Sequence, residues 1–283
     1  MNPANRIARS NSTAVHPSSL QAVIFDVDGT LAETEREGHR IAFNQAFAEF
    51  GLNWDWTPEL YGELLSVTGG KERVRLYVKT RAQEHLAHAD LDLWIARLYK
   101  RKSEIYSERA LSGAITLRAG VARLISELRQ SGIRLAIATT TAPSNIHSLI
   151  SANLRKDMLE LFEVIGAGDL MISKKPAPDV YQWVLQRLGL PAESCLAIED
   201  SSIGLTAARA AGLPTIITVS SYTADENFDG ALSVLSGLGE TEAPARVIEG
   251  LPLSGPCVDV AQLRAWHGQT LKAAPPADAS RRA

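Results

Sequence analysis

The sequence predicts an α/β protein, with a parallel sheet covered by helices on both faces and a small helical domain inserted after the first strand. Two observations support this prediction. Residues 22–26, a short apolar run that ends at a turn signal, are typical of a buried strand, and from about residue 117 strand patterns alternate with helix patterns. Between these parts, apolar residues recur at three- and four-residue spacings, which predicts helices only.

The second half of the chain supplies the other elements of the predicted sheet. Apolar runs predict strands at 134–138, 162–167, 195–198 and 214–219. Helices are predicted at 121–130, 145–150, 178–188 and 202–211, and Gly132, Gly189 and Gly212 act as stop signals. Strands that alternate with helices of this length indicate a Rossmann-like parallel sheet.

The domain boundaries follow from this alternation. The core domain is predicted at 20–32 and 116–272, and the helical domain, which we call the cap, at 33–115. The Ser-rich segment 1–19 and the Pro/Ala-rich segment 273–283 are predicted to be disordered tails.

Composition excludes several classes of protein. Apolar residues make up 45% and charged residues 22%, as is ordinary for a globular domain. The net charge of -3 gives no basic excess, so we expect neither nucleic acid nor a membrane as partner. The N-terminus lacks the apolar segment of a secretory signal, and the two cysteines form no disulfide framework, which predicts a cytoplasmic protein.

The predicted strands end in groups that suit phosphate chemistry. Ligands of open parallel sheets bind beyond the carboxyl ends of the strands. The polar groups at these ends, in chain order, are Asp26 and Asp28, then Thr139, Thr140 and Thr141, then Lys174 and Lys175 in a loop, then Glu199 and Asp200.

These residue types fit phosphoryl transfer. One carboxylate can attack phosphorus, and a second one two residues further on can protonate the leaving oxygen and later activate water. Carboxylate oxygens suit Mg²⁺, while a lysine and a hydroxyl can hold the phosphoryl oxygens. Each motif alone could be a solvated turn or a helix N-terminus. Their joint occurrence, in order and at strand ends, favours phosphoryl transfer.

Two cationic segments of the cap predict a site for a second anionic group. In VTGGKERVRLY, Gly69 and Gly70 precede Lys71, Glu72 and Arg73, so backbone amides can approach an anion while the cations close on it. A second segment, RLYKRKSEIY, carries Lys100, Arg101 and Lys102. Either segment alone could be a solvated helix face. Together they predict a substrate with two phosphates, or with one phosphate and another polar end.

The four motifs resemble those of the haloacid dehalogenase superfamily of phosphohydrolases. FDVDGTLAETE is similar to its first motif, ATTT to its second, KKPAPDVY to its third and AIEDSSIGL to its fourth. The resemblance implies Asp26 as nucleophile and Asp28 as general acid/base, with Thr139 and Lys175 on the transferred phosphoryl. The implied Mg²⁺ ligands are Asp26, the backbone carbonyl of Asp28, Asp200 and, directly or as a neighbour of the ligands, Glu199.

The cap resembles one branch of this superfamily more closely. LAETEREGHRIAFNQAF, WDWTPELYGELL, GGKER and SYTADENF are similar to the CbbY family, which is encoded with Calvin-cycle genes in autotrophic bacteria. That family dephosphorylates xylulose 1,5-bisphosphate, an inhibitory by-product of Rubisco, to xylulose 5-phosphate. The resemblance implies a monomer in which Glu35 contacts sugar hydroxyls. The other implied substrate contacts are Gly69, Gly70, Lys71, Glu72, Arg73, Tyr99, Lys100 and Lys102 at the distal phosphate, and Thr140, Thr141 and Asn145 on the core side.

Several alternatives stay open from the sequence. His39 in the cap could be an acid/base gate or a packing residue. A phosphomutase of the β-phosphoglucomutase type would keep the same nucleophile, and a broad phosphoglycolate-type phosphatase would need no second phosphate. A catalytically silent binding protein is disfavoured, because it would have no need to keep the catalytic set.

Overall fold

The computed structural model describes residues 19–153 and 160–273. The predicted tails, 1–19 and 273–283, lie outside the described residues except for one residue each.

Within the described residues, seven strands form one sheet: β1 (Ala22–Phe25), β2 (Arg134–Ala138), β3 (Phe162–Gly166), β4 (Cys195–Glu199), β5 (Thr215–Thr218), β6 (Ser233–Leu235) and β7 (Val247–Gly250). Their order in the sheet is β3-β2-β1-β4-β5-β6-β7. Neighbouring strands from β3 to β6 are parallel, and β7 runs antiparallel to β6. This arrangement confirms the predicted α/β class.

Both faces of the sheet are buried along its central strands, and β1 shows why. Val23 and Phe25 belong to one apolar cluster, while Ala22 and Ile24 belong to another, because successive side chains of a strand point to opposite faces. Helices α5 (Val121–Gln130), α6 (Pro143–Asn153) and α9 (Val260–Ala273) contribute to the first cluster. Helices α7 (Asp179–Leu188) and α8 (Ser202–Ala210) contribute to the second. Among the described helices, none is both long and apolar enough to cross a membrane.

The strands predicted from the sequence did not include the last two, β6 and β7. β6 has only three residues, all buried, and β7 has four, all exposed. Neither strand therefore shows the alternation of apolar and polar residues that identifies a strand. The predicted strand at 22–26 ends at Phe25 instead, and Asp26 is the first residue beyond it. The Asp26 amide still donates to the Ile198 carbonyl at 3.0 Å, so the neighbouring strand holds the backbone of Asp26.

The segment between β1 and α5 is helical, as predicted. One π-helical turn (Glu35–His39) leads into α1 (Arg40–Glu49), α2 (Pro58–Leu64), α3 (Gly70–Arg81) and α4 (Leu91–Leu111). These helices share an aromatic-rich apolar cluster of their own, which includes Phe43, Phe47, Trp56 and Tyr61. Two chain segments connect them to the core, and they pair through an antiparallel bridge between Ala32 and Leu117. The division into a cap and a core domain stays a prediction.

Candidate active site

The sheet edge brings the polar strand ends together beneath the cap. A cavity of about 460 Å³ lies between this edge and the cap helices. From the core, the polar residues at the strand ends line it: Asp26, Asp28, Thr139, Thr140, Lys175 and Asp200. From the cap, Glu35 and Arg73 line it. The residues predicted from four separate motifs therefore share one site.

Lys175 neutralises the floor of this cavity. Its Nζ donates to Oδ1 of Asp26 at 2.7 Å and to Oε1 of Glu199 at 2.6 Å. Burial would lower the pKa of Lys175, but these two carboxylates raise it, so the lysine stays charged. Tyr181 donates to the same Glu199 oxygen at 2.6 Å, and Oε2 of Glu199 accepts from the Asp200 amide. Glu199 thus has partners for both of its oxygens.

The carboxylates of Asp26 and Asp200 are the groups that need a cation. Burial, with Glu199 and Asp28 nearby, raises the pKa of Asp26 to about 8 despite Lys175. Burial, together with the charges of Asp26 and Glu199, also raises the pKa of Asp200. Asp26, Glu199 and Asp200 each offer an oxygen within 4.8 Å of the others, and all three are buried. Such an oxygen-only set fits a divalent cation such as Mg²⁺, which would favour the ionised carboxylates.

Asp28 contacts the cap rather than the metal-type cluster. Its Oδ1 accepts a hydrogen bond from Thr34, and Nε2 of His39 lies 3.0 Å from the same oxygen. Burial alone would raise the pKa of Asp28, but His39 and Thr34 outweigh it and lower the pKa to about 2. His39 is buried and stacks on Tyr106, so it packs and contacts the acid/base candidate at once.

Lys102 continues this chain of contacts. Its Nζ lies 2.7 Å from Nδ1 of His39, and the side chain is buried among aromatic rings. Burial lowers the pKa of Lys102 to about 7 despite nearby carboxylates. When an N–H of Lys102 donates to Nδ1 of His39, the other ring nitrogen, Nε2, carries the hydrogen and donates it to Asp28.

The π-helical turn places two cap residues at the site from its two ends. His39 ends the turn and reaches Asp28, while Glu35 begins it and pairs with Arg73. Arg73 is buried and donates from Nη1 to the Tyr61 hydroxyl at 2.8 Å and from Nε to the Val67 carbonyl at 3.2 Å. The Tyr61 hydroxyl in turn donates to Glu35. The guanidinium of Arg73 is therefore anchored inside the cap, behind Glu35.

Lys71 faces a different cavity from Arg73. Residues two positions apart on a helix point about 200° apart, so Lys71 and Arg73 leave opposite sides of α3. A second cavity of about 340 Å³ lies beside the first, between cap and core. Its polar lining is Gly70, Lys71, Tyr99, Thr140 and Lys174. Glu72 reaches across to the core and pairs with Nζ of Lys174 at 2.8 Å.

The remaining predicted contacts divide into two groups. Thr141 lines a small gap beside Lys102 and Gly69, and its hydroxyl lies 3.2 Å from Nδ2 of the buried Asn145. Lys100 is exposed and lines none of these cavities. The structure thus brings Thr141 to the site and leaves Lys100 outside it.

Comparison with known proteins agrees with this geometry. Residues 20–212 match the haloacid dehalogenase-like hydrolases. The chain belongs to this family. It is 47% identical over 257 residues to the protein CbbY of Cupriavidus necator, a match that spans 89% of this chain and 98% of that protein. The predicted resemblance to the haloacid dehalogenase superfamily and to CbbY is confirmed.

Two solved structures extend this comparison. The crystal structure of CbbY from Rhodobacter sphaeroides in complex with phosphate has a TM-score of 0.72 and 44% identity, over 77% of this chain and 94% of that one. A mutant of that protein in complex with xylulose 1,5-bisphosphate has the same TM-score and coverage at 43% identity. This haloacid dehalogenase-like hydrolase is therefore an enzyme, a phosphatase that acts on sugar phosphates.

Sequence reasoning missed some side chains at the phosphatase site. Thr34 and Tyr61 carried no signal beyond their place in the cap, yet they hold Asp28 and Glu35. Tyr181 follows the KKPAP motif on α7, and its contact with Glu199 depends on the packing of α7 against the sheet. The contacts of Tyr61 and Tyr181 do not follow from spacing, because each joins residues on different elements.

Proposed function

We propose that this phosphatase is Mg²⁺-dependent and converts xylulose 1,5-bisphosphate to xylulose 5-phosphate through an aspartyl-phosphate. The observation that carries the proposal is the pair of adjoining cavities. The larger one holds the catalytic carboxylates, and the smaller one holds cationic groups from both cap and core. A sugar with a phosphate at each end has the shape and charge that this pair of cavities would accept.

Asp26 is the nucleophile of the proposed reaction. Its carboxylate oxygen attacks phosphorus, and the bond from phosphorus to the sugar oxygen breaks. Lys175, held by Asp26 and Glu199, and the hydroxyl of Thr139 face the site where the phosphoryl oxygens gather. Water then attacks the aspartyl-phosphate and releases inorganic phosphate and free Asp26.

Asp28 moves the proton in both steps. It gives a proton to the departing sugar oxygen and then takes one from the attacking water. With His39 and Thr34 in contact, Asp28 is ionised, whereas burial without them would raise its pKa. His39 and Thr34 therefore set the proton affinity of Asp28 in this position of the cap.

The fit of the carboxylates supports Mg²⁺ as the cofactor. Asp26, Asp200 and the backbone carbonyl of Asp28 would hold it, and the ion would supply positive charge beside the phosphoryl group. We assign Glu199 to Lys175 and Tyr181, which both donate to its Oε1, and place it beside the metal ligands rather than among them.

Two sets of cap residues would divide the substrate between them. Glu35, fixed by Arg73 and Tyr61, faces the larger cavity and would accept hydrogen bonds from sugar hydroxyls. Lys71 and the Gly70 backbone, with Lys174 from the core, would take the phosphate that is not transferred. Removal of a Rubisco inhibitor is the proposed role of the reaction, by analogy with the CbbY family. A cytoplasmic location and a monomeric state remain predictions of the sequence.

A panel of substrates tests the proposal. Phosphate release would be measured with Mg²⁺ for xylulose 1,5-bisphosphate, ribulose 1,5-bisphosphate, β-glucose 1-phosphate, 2-phosphoglycolate and p-nitrophenyl phosphate. We expect a strong preference for xylulose 1,5-bisphosphate that requires Mg²⁺ and is lost in Asp26→Asn. Comparable turnover of all five would contradict the substrate, and an isomeric sugar phosphate in place of free phosphate would indicate a phosphomutase.

A further inference from the structure

Arg118 is a mostly buried arginine with no part in the proposed chemistry, yet its side chain reaches the back of the catalytic loops. The two terminal nitrogens donate to four backbone carbonyls, and Nε lies 3.5 Å from Oε1 of Glu33. The four carbonyls are those of Gly29, of Thr218 at 2.9 Å, of Val219 at 2.6 Å and of Ser236 at 3.4 Å. Every N–H group of the guanidinium therefore faces an oxygen.

These carbonyls belong to three different loops at the active edge of the sheet. Gly29 directly follows Asp28 in the loop after β1. Thr218 is the last residue of β5, and Val219 leads on to Ser220, which lines the larger cavity together with Asp200. Four carbonyl oxygens that converge on one point repel one another unless a cation lies between them. Arg118 supplies that cation and so fixes the loops relative to one another.

Arg118 also lies on the connection between cap and core. Its backbone amide donates to the Leu31 carbonyl at 2.9 Å, next to the bridge between Ala32 and Leu117. Cap movement must bend the chain at these two connections. The Arg118 side chain projects from this connection and donates to the Gly29 carbonyl. It would therefore keep the loop that carries Asp28 in place while the cap moves.

We infer that Arg118 is a positioning residue that aligns Asp28 for proton transfer to the leaving oxygen. The inference rests on the proposed acid role of Asp28 and holds for any phosphate ester that this enzyme hydrolyses. If the inference is right, loss of Arg118 should slow the departure of a sugar alkoxide more than the departure of p-nitrophenolate. A sugar alkoxide needs a proton as it departs, whereas p-nitrophenolate is a stable anion that leaves with little help.

The test compares kcat/KM, which reports the steps up to leaving-group departure, for a sugar phosphate and for p-nitrophenyl phosphate. A misplaced acid should lower kcat/KM of Arg118→Gln about 100-fold for the sugar phosphate and about tenfold or less for p-nitrophenyl phosphate. Arg118→Lys keeps the charge but offers its donors from one atom, so its loss should be intermediate. A merely reduced fraction of folded enzyme would lower both values equally.

Arg123 provides a matched control. It too donates to two backbone carbonyls, of Gly239 and Val258, and it pairs with Glu240, but none of these partners belongs to the loop of Asp28. Arg123→Gln should lose similar thermal stability and keep the ratio of the two kcat/KM values.

Asp28→Asn separates failure of the inference from failure of the proposed mechanism. If Asp28→Asn lowers kcat/KM more for the sugar phosphate than for p-nitrophenyl phosphate, which we call the leaving-group bias, and neither Arg118 variant does so, the positioning role is wrong. If Asp28→Asn shows no bias, the acid role fails and the inference fails with it. An equal loss for both substrates in Arg118→Gln and Arg118→Lys would also overturn the inference.

Discussion

A methyl group on Gly29 would collide with the carboxylate of Asp200. Gly29 has φ = +87°, and a Cβ added there would lie 2.5 Å from Cγ of Asp200 and closer still to Oδ2. Gly29→Ala therefore has two effects. It forces a residue with a side chain into the left-handed conformation, and it displaces the carboxylate of Asp200 in the active site.

The two effects have different sizes and different targets. The left-handed conformation costs about 1–2 kcal/mol of folding stability for a non-glycine residue. To restore ordinary contact, Asp200 has to move by roughly 1 Å, and a shift of that size at a reacting centre can cost about 100-fold in rate. Gly29→Ala should therefore lose modest stability and most of its activity.

Gly132→Ala is the control for backbone strain. Gly132 has φ = +69° after α5, and an added Cβ would meet no atom within 4 Å. Thermal unfolding and phosphate release would be measured for both variants. We expect a similar drop in Tm for both and an activity loss in Gly29→Ala alone. Equal activities in the two variants would refute the placement of Asp200 against the Gly29 backbone.

Three further substitutions test other contacts. Lys175→Met leaves Asp26 and Glu199 buried without their cation, so urea unfolding should show a loss of about 3–5 kcal/mol together with inactivity; near-normal stability would count against the ion pairs. Arg73→Lys removes the guanidinium that holds Glu35, so steady-state kinetics should show a KM for the sugar phosphate about tenfold higher than that of the wild type. An unchanged KM would exclude this anchoring role of Arg73. Folding lowers the pKa of Lys102 from 10.5 to about 7, so the unfolded chain binds the extra proton between these values. Wild-type stability relative to Lys102→Met should thus rise as pH goes from about 7 to 10, by up to about 1.4 kcal/mol per pH unit, and parallel urea-stability curves would contradict it.

The strand-end motifs were predictable because each is a local pattern. A buried apolar run followed by acids or hydroxyls identifies a strand end, and the rule that parallel strands present their carboxyl ends at one edge brings Asp26, Thr139 and Asp200 together. No contact between distant residues has to be known for this step.

The cap contacts could not be predicted in the same way. His39 and Lys102 are 63 residues apart, and their contact depends on how α4 packs against the π-helical turn. GGKER suggested a single anion site, yet α3 points Lys71 and Arg73 in different directions, and only the rotation of that helix decides which cavity each one lines. Arg118 carried no motif because its partners are backbone carbonyls.

The most direct test of the central claim compares two substrates that differ only in the remote phosphate, xylulose 1,5-bisphosphate and xylulose 1-phosphate. Release of the 1-phosphate would be followed for the wild type and for Lys71→Met. If the second cavity binds the remote phosphate, loss of two charge-assisted contacts should lower wild-type kcat/KM for the monophosphate about 100-fold or more, and Lys71→Met should narrow that gap. Equal kcat/KM for the two substrates in the wild type would show that the enzyme does not select for a second phosphate.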